Sequence, residues 1–565
     1  MNTTTVPDLL RARAAERAGG YGFIVDGEPE PARLPMSWLY QRALAVAAGI
    51  DAPAGARAVL IYPPGLDFIV GLFAAMLAGV VAVPVYPPGS GGPAANASAR
   101  LNQVLADCKP EVILSTADVI AVKDTAGIGT GSVRWLATDT TTGASQDWRP
   151  PRVSGDDIAI IQYSSGSTGT PKGVVLRHRN VLANLAAIET AMGLTRDSVI
   201  VGWVPSYHDM GLIGYILAAV RTGCWSYLMS PSDFLRRPAI WLESISRVRG
   251  TVAGGPNFGY ELCLRRVTDA ERTAVDLSSW RVAFSGAEKI RPSVLRRFGE
   301  AFDLDEGVLY PCYGLAEACL IVSGARPGSG LRSVWLDRRA LEQGKVAEST
   351  VDAVEIAACG RPVEAHELLI VDPASATPLG AGQVGEVWVR GPSVAGEYWH
   401  RPEESGETFG ATLGDGSGPF LRTGDLGFLR DGELYLTGRS KDLLIIAGRN
   451  IYPTDIEEAA QAADRRLRAG CGVAVELPGP SHNLVAVIQE TTEQDPDELA
   501  GLAVGVRRSV AERMEIVVDT VVLIEQRTIP KTSSGKLRRS ATRQDYSDGR
   551  LAVRYEWRRP GAGEA

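Results

Sequence analysis

The sequence predicts an α/β protein with a smaller α+β unit at its C-terminal end, and three observations predict it. Short β-branched runs closed by Gly, Pro or Ser alternate with helical stretches, a pattern that makes largely parallel sheets. From about Ala358 the texture turns to strands and tight turns, which predicts a β-rich subdomain. Beyond "GRSKD" a shorter set of helices and strands begins. At 565 residues the chain is long enough for two or more domains, each burying its own core.

In chain order, the expected strands are "AVLIYPP", "VVAVPVY", "EVILST", "IAIIQYSS", "SVIVGWVP", "RVAFSG" and "GVLYPCYG". Each is strand-length and apolar. Helices are expected at "LDFIVGLFAAMLAG" and "RNVLANLAAIETAMG". The run from Phe68 to Tyr86 carries no charge, but its Ala and Gly content, Pro84 and the change of texture at Gly79 predict a buried helix feeding a buried strand, not a membrane span. "HELLIVDP", "GEVWVRGP" and "GELYLTGR" read as strands of the β-rich part. The last unit contains "DIEEAAQAA" and "LAVGVRRSVAERM" as helices and "CGVAVEL", "NLVAVIQE" and "VVDTVVLIE" as strands. A boundary near Lys441 divides a domain of residues 1–440 from one of residues 441–565, joined by a hinge of few residues rather than a long linker.

Composition excludes several classes. Acidic residues outnumber basic ones, 66 to 58, for a formal net charge of −8, which argues against a nucleic-acid partner. The seven cysteines are scattered, with no metal spacing and no framework of bridges, and the five histidines form no ligand cluster. Packed, reduced thiols in a soluble cytoplasmic protein are expected. The N-terminus has no apolar core of signal-peptide type.

The stretch "IIQYSSGSTGTPKGVVLRHRNVLANL", from Ile160, reads as strand, small-residue loop, then helix. Backbone N–H groups and hydroxyls of such a loop, with the helix N-terminus behind it, can cradle phosphate. A plain surface turn has the same composition. The Walker pattern fails, because Pro171 precedes Lys172 and Gly173 follows it.

"SSGSTGTPKG" resembles the signature loop of the adenylate-forming superfamily of acyl-CoA synthetases, adenylation domains and luciferases. Further motifs follow in that family's order: "SGAE" from Ser285, "YGLAE" from Tyr313, "RTGDLG" from Arg422, "GRSKD" from Gly438 and "PKTSSGK" from Pro530. Within the superfamily the chain resembles the fatty acyl-AMP ligases through "PSYHDMGLIG", "PNFGYELC", "YGLAEACL" and "GRNIYPTDIE". About thirty additional residues, near 324–357 and including "WLDRRALEQGKV", stand where those ligases carry an insertion associated with poor use of coenzyme A. Three residues depart from the usual pattern: Cys319 replaces a commoner Thr, Lys289 a usual Pro and Ile451 a frequent His.

The resemblance implies a large adenylate-forming N-terminal domain with a small mobile C-terminal domain. It implies ATP and Mg²⁺, with Ser165, Ser167, Thr168, Gly169, Thr170 and Lys172 around the β- and γ-phosphates. The adenine would lie between the backbone of Ser285, Gly286, Ala287 and Glu288 and the ring of Tyr313, bordered by Cys312, Gly314, Leu315 and Ala316. Asp425 would accept from the ribose hydroxyls, Arg439 would hold ribose and phosphate oxygens, and Glu317 would contact the metal. Lys536 is the expected catalytic cation, with Lys531 in a structural role. His208, Asp209, Met210, Gly211 and Gly214 would form the acyl gate, His208 also serving catalysis, and Lys441 would be the hinge. The chemistry agrees: two anions must meet at the α-phosphorus, so positive charge has to be held there beforehand.

The expected reaction is activation of a fatty acid to fatty acyl-AMP, then transfer to the phosphopantetheine thiol of an acyl carrier protein acting in trans on a monomeric enzyme. A long-chain fatty acyl-CoA synthetase is the alternative.

Overall fold

The computed structural model describes residues 3–87, 94–141, 143–164, 171–446, 449–479, 483–531 and 536–560. Its largest sheet has nine strands. Leu309–Gly314, Val282–Ser285, Val252–Gly255, Val199–Gly202, Trp225–Met229 and Gly20–Ile24 lie side by side in parallel. Antiparallel strands close both edges. The inner runs have almost no polar residue, as strands buried on both faces require.

A second sheet of six strands holds Arg57–Leu60, Val81–Pro84, Val112–Ser115 and Arg134–Ala137 in parallel, with Ile158–Ser164 beside Val81–Pro84. The uncharged run forms the helix Leu66–Leu77, buried along its length from Phe68, and then the strand Val81–Pro84. No helix among the described residues is long and apolar enough to cross a membrane. The β-rich segment is a five-stranded antiparallel sheet ending in Leu421–Arg430 and Glu433–Arg439.

One expectation fails here. The small-residue run does not pass directly into a helix. The strand Lys172–Arg177 intervenes, antiparallel to Ile158–Ser164, with Ser164 opposite Lys172. The reason lies in "KGVVLR": Val174, Val175 and Leu176 are buried in the sheet, and the helix His178–Met192 starts only after them. Six strand residues at about 3.3 Å each set that helix N-terminus on the order of 20 Å from the loop, too far for its dipole to serve phosphate. Ser165, Ser167, Thr168, Gly169 and Thr170 themselves lie outside the described residues.

The buried cores part between Tyr435 and Leu444. The smaller domain is a four-stranded sheet of Leu467–Leu477, Leu484–Thr491, Thr520–Ile524 and Val553–Arg558, packed against the helices Pro453–Gln461 and Pro496–Met514. Between the domains the chain makes a single turn, Ser440–Asp442, in which Lys441 is exposed. The additional segment forms a hairpin of Ser333–Asp337 with Ala353–Ala357, carrying the short helix Arg338–Glu342. Its Glu342 makes a two-pronged pair with Arg449 of the smaller domain, at 2.8 and 2.9 Å. All seven cysteines are unbridged, and all but Cys312 are buried.

Candidate active site

Four of the sequence motifs follow the carboxyl ends of neighbouring parallel strands. Val199–Gly202 leads to His208, Val252–Gly255 to Asn257, Val282–Ser285 to Glu288, and Leu309–Gly314 to Glu317. Parallel register puts these ends on one edge of the sheet, the edge where open α/β sheets bind ligands.

The backbone of this edge is tightly specified. A Cβ on Gly314 would sit 1.6 Å from the Leu320 carbonyl oxygen, so only glycine fits where the chain folds back on itself. Gly286 approaches the Cys312 carbonyl just as the loop leaves its strand. Ala287 holds φ +68°, and Cys319 φ +65° and ψ −62°, conformations that cost energy and gather at functional sites. Cys319 is buried and its thiol donates to the Ser393 carbonyl, so a small polar side chain is used there for packing.

On this frame, Tyr313 donates to Asp425 at 2.6 Å, and Arg439 donates to the other oxygen of the same carboxylate at 2.9 Å. Asp425 is 6% exposed, and its charge raises the guanidinium of Arg439 above the usual arginine range. Glu288 accepts from the Phe258 amide at 2.7 Å, and burial pushes its carboxyl up. Cys312 is bonded through its thiol to the Ser285 carbonyl, while the Ser285 hydroxyl is buried with no hydrogen-bond partner among the described residues. His208 lies 2.5 Å from Asp209, which also caps the following helical segment by accepting from Met210 at 2.6 Å. That segment, Met210–Leu217, is wound as a π-helix, a rare form found mostly at functional positions. It brings Gly211 against the Pro205 carbonyl and Gly214 against Leu320.

Lys536 comes from the smaller domain into this edge. Burial lowers its ammonium, while Asp209, Glu288 and Asp425 oppose that shift and Arg439 adds to it. Burial also pushes the Asp209 carboxyl up, but His208 and Lys536 prevail and hold it below the usual carboxylate range. The two domains thus share one electrostatic cluster.

Lys172 reaches the site by another route. Its strand bridges to Tyr398 through Val174, its ammonium lies 5.3 Å from the Tyr398 ring centre, and it pairs with Glu404. Tyr398 donates to Glu317 at 2.9 Å. Burial raises the Glu317 carboxyl, and the Tyr398 hydrogen bond works against it. Sequence reasoning missed Tyr398 and Glu404, because "AGEYWHRPEE" matches no motif and only the fold brings it to "YGLAE". Lys531 donates to the Gly470 carbonyl at 2.9 Å, and its charge also acts on Glu288. No group of three or more His, Cys, Asp or Glu among the described residues could hold a metal by itself. One lone carboxylate, Glu317, fits Mg²⁺, which takes one or two carboxylates and completes its shell with phosphate oxygens and water.

Residues 11–399 match the AMP-binding enzyme family, and residues 441–556 match the family described as Disco-interacting protein 2-like, AMP domain. The chain is 40% identical to the medium-chain-fatty-acid–[acyl-carrier-protein] ligase JamA of Moorena producens, over 97% of this chain and 96% of that protein. It is 35% identical to the 4-hydroxyphenylalkanoate adenylyltransferase of Mycobacterium tuberculosis, over 97% and 92%. A fatty acyl-adenylate ligase structure from work on E. coli and L. pneumophila superposes with TM-score 0.88 at 33% identity, covering 97% of this chain and 98% of that one. An L. pneumophila ligase in complex with acyl adenylate and pyrophosphate superposes with TM-score 0.76 at 34% identity, covering 99% and 98%. Motif order, the strand-end site and these likenesses together establish that the chain belongs to the AMP-binding enzymes, as a fatty acyl-AMP ligase.

Proposed function

We propose that the protein joins a fatty acid to AMP, releasing pyrophosphate, and then passes the acyl group to the phosphopantetheine thiol of an acyl carrier protein. The observation that carries this reading is the entry of Lys536 from the smaller domain into the cluster of Asp209, Glu288, Asp425 and Arg439. A carboxylate attacking the α-phosphorus accumulates negative charge, and a cation fixed in a part-buried site stabilises it far better than one in water.

In this reading Asp425 and Tyr313 seat the ribose, the Ser285–Glu288 loop seats the adenine, and Arg439 steadies the phosphate. The segment 165–170 with Lys172 holds the β- and γ-phosphates. His208 and Asp209 gate the acyl site, where Met210, Gly211 and Gly214 line the entry. Mg²⁺, contacted by Glu317, would neutralise phosphate charge when bound. Residues 441–565 then swing about Lys441, removing Lys536 and admitting the thiol. In this reading the enzyme acts as a monomer.

JamA is named as an acyl-carrier-protein ligase, and that name supports the choice of acceptor. The test is a product assay with ATP, Mg²⁺, a panel of fatty acids and excess coenzyme A. Accumulation of acyl adenylate with little acyl-CoA supports the reading. Efficient acyl-CoA formation would make the protein a synthetase.

A further inference from the structure

Lys289 follows the Ser285–Glu288 loop directly, yet its ammonium points away from the nucleotide edge and crosses to the smaller domain. There it meets Asp455 at 2.9 Å and the Thr454 hydroxyl at 3.3 Å. Asp455 is 9% exposed and sits in the first turn of the helix Pro453–Gln461, where negative charge is favoured. Its second oxygen lies 3.5 Å from Arg338. Glu458, one turn along, also faces Lys289 and Arg291.

Most other ion pairs across the same seam start from the additional segment: Arg338 to Asp455, Arg339 to Glu515, and Glu342 to Arg449. Lys289 starts instead from the loop that carries Glu288, whose carboxylate faces Lys536. Adjacent residues therefore carry a side chain that faces Lys536 and one that grips the domain delivering it.

We infer that Lys289 positions the smaller domain for adenylation: its pairing with Asp455 seats that domain with Lys536 in the site, and the pair must break before the thiol step. This rests on the two-step reading above. Lys289 is a positioning residue, because it acts through Asp455 and Thr454 of the smaller domain. A part-buried ion pair suits such a role: it is strongly directional when formed, and separating it is costly until water reaches both partners.

The test compares wild type with Lys289→Met and with Lys289→Arg, which keeps a positive charge facing Asp455 and Glu458. Three quantities are read: single-turnover acyl-AMP formation, thiol acylation from supplied acyl-AMP, and the rate of tryptic cleavage at the Arg439–Lys441 turn. Lys289→Met should slow acyl-AMP formation tenfold or more, leave thiol acylation equal or faster, and speed cleavage. Lys289→Arg should keep most of the wild-type rate. Equal losses in both steps, no change in either, or a folded Lys289→Arg as slow as Lys289→Met would each overturn the inference. If wild type formed no acyl-AMP, the catalytic reading would fail, while cleavage of the two variants would still decide the pin.

Discussion

A single ammonium, that of Lys536, faces three carboxylates across the domain seam, so its removal should act on rate more than on folding. Lys536→Met should lower acyl-AMP formation by about 10²–10³, the usual effect of removing one preorganised charge. Thiol acylation from supplied acyl-AMP should change little, and that contrast in single-turnover assays checks the assignment. Glu317 gives a second prediction with a sign. Burial raises its carboxyl and Tyr398 holds it down, so Tyr398→Phe should raise it further. If the ionised form is the active one, the acid limb of the adenylation profile moves to higher pH, and an unmoved limb would show that Glu317 does not set it. Both residues illustrate what sequence shows and hides. Lys536 and Glu317 stand inside motifs. Tyr398, which tunes one of them, has no motif and is known only by its contact.

Elements show a similar division. Buried parallel strands were legible because their side chains must be apolar on both faces. "KGVVLR" was not legible as a strand, since six residues between a glycine-rich loop and a helix look like the helix's approach. The helix that follows offers a test of its own. His178, at its start, is buried and accepts from the Val6 amide at 3.2 Å, tying the N-terminal helix Val6–Ala15 to the large domain. Burial pushes its imidazole down to about 4 against a free value of 6.5. The unfolded chain therefore binds the extra proton between those values, and stability present above pH 6.5 is lost as pH falls towards 4. At roughly 1.4 kcal/mol per pH unit, the loss is about 3 kcal/mol. Urea titrations across that window should show the slope, and His178→Gln should flatten it.

At the scale of the molecule, the two domains have separate cores and meet through ion pairs, with one exposed turn between them. Lys441→Pro should stiffen that turn. Acyl-AMP formation should remain measurable in the seated arrangement while thiol acylation is abolished, and equal loss of both would refute a hinge there. An expected boundary near Lys441 could be drawn from the change in texture of the sequence. The seam could not, because Lys289, Glu342 and Asp455 are ordinary surface residues until the domains are brought together.

The unbridged cysteines bear on how that motion can be watched. Burial pushes the thiols of Cys108 and Cys312 up to about 12 and Cys224 to about 11; Cys263, Cys319 and Cys359 are pushed up as well, and Cys471 is buried. Few of those first six thiols are then ionised at neutral pH to react with a maleimide, whereas the Cys471 sulfur accepts from the Lys531 ammonium at 3.3 Å. Two new surface cysteines, one on each side of Lys441, would take fluorescent dyes with Cys471 alone replaced among the native seven. The alternation of the domains could be followed as a changing distance in single working molecules.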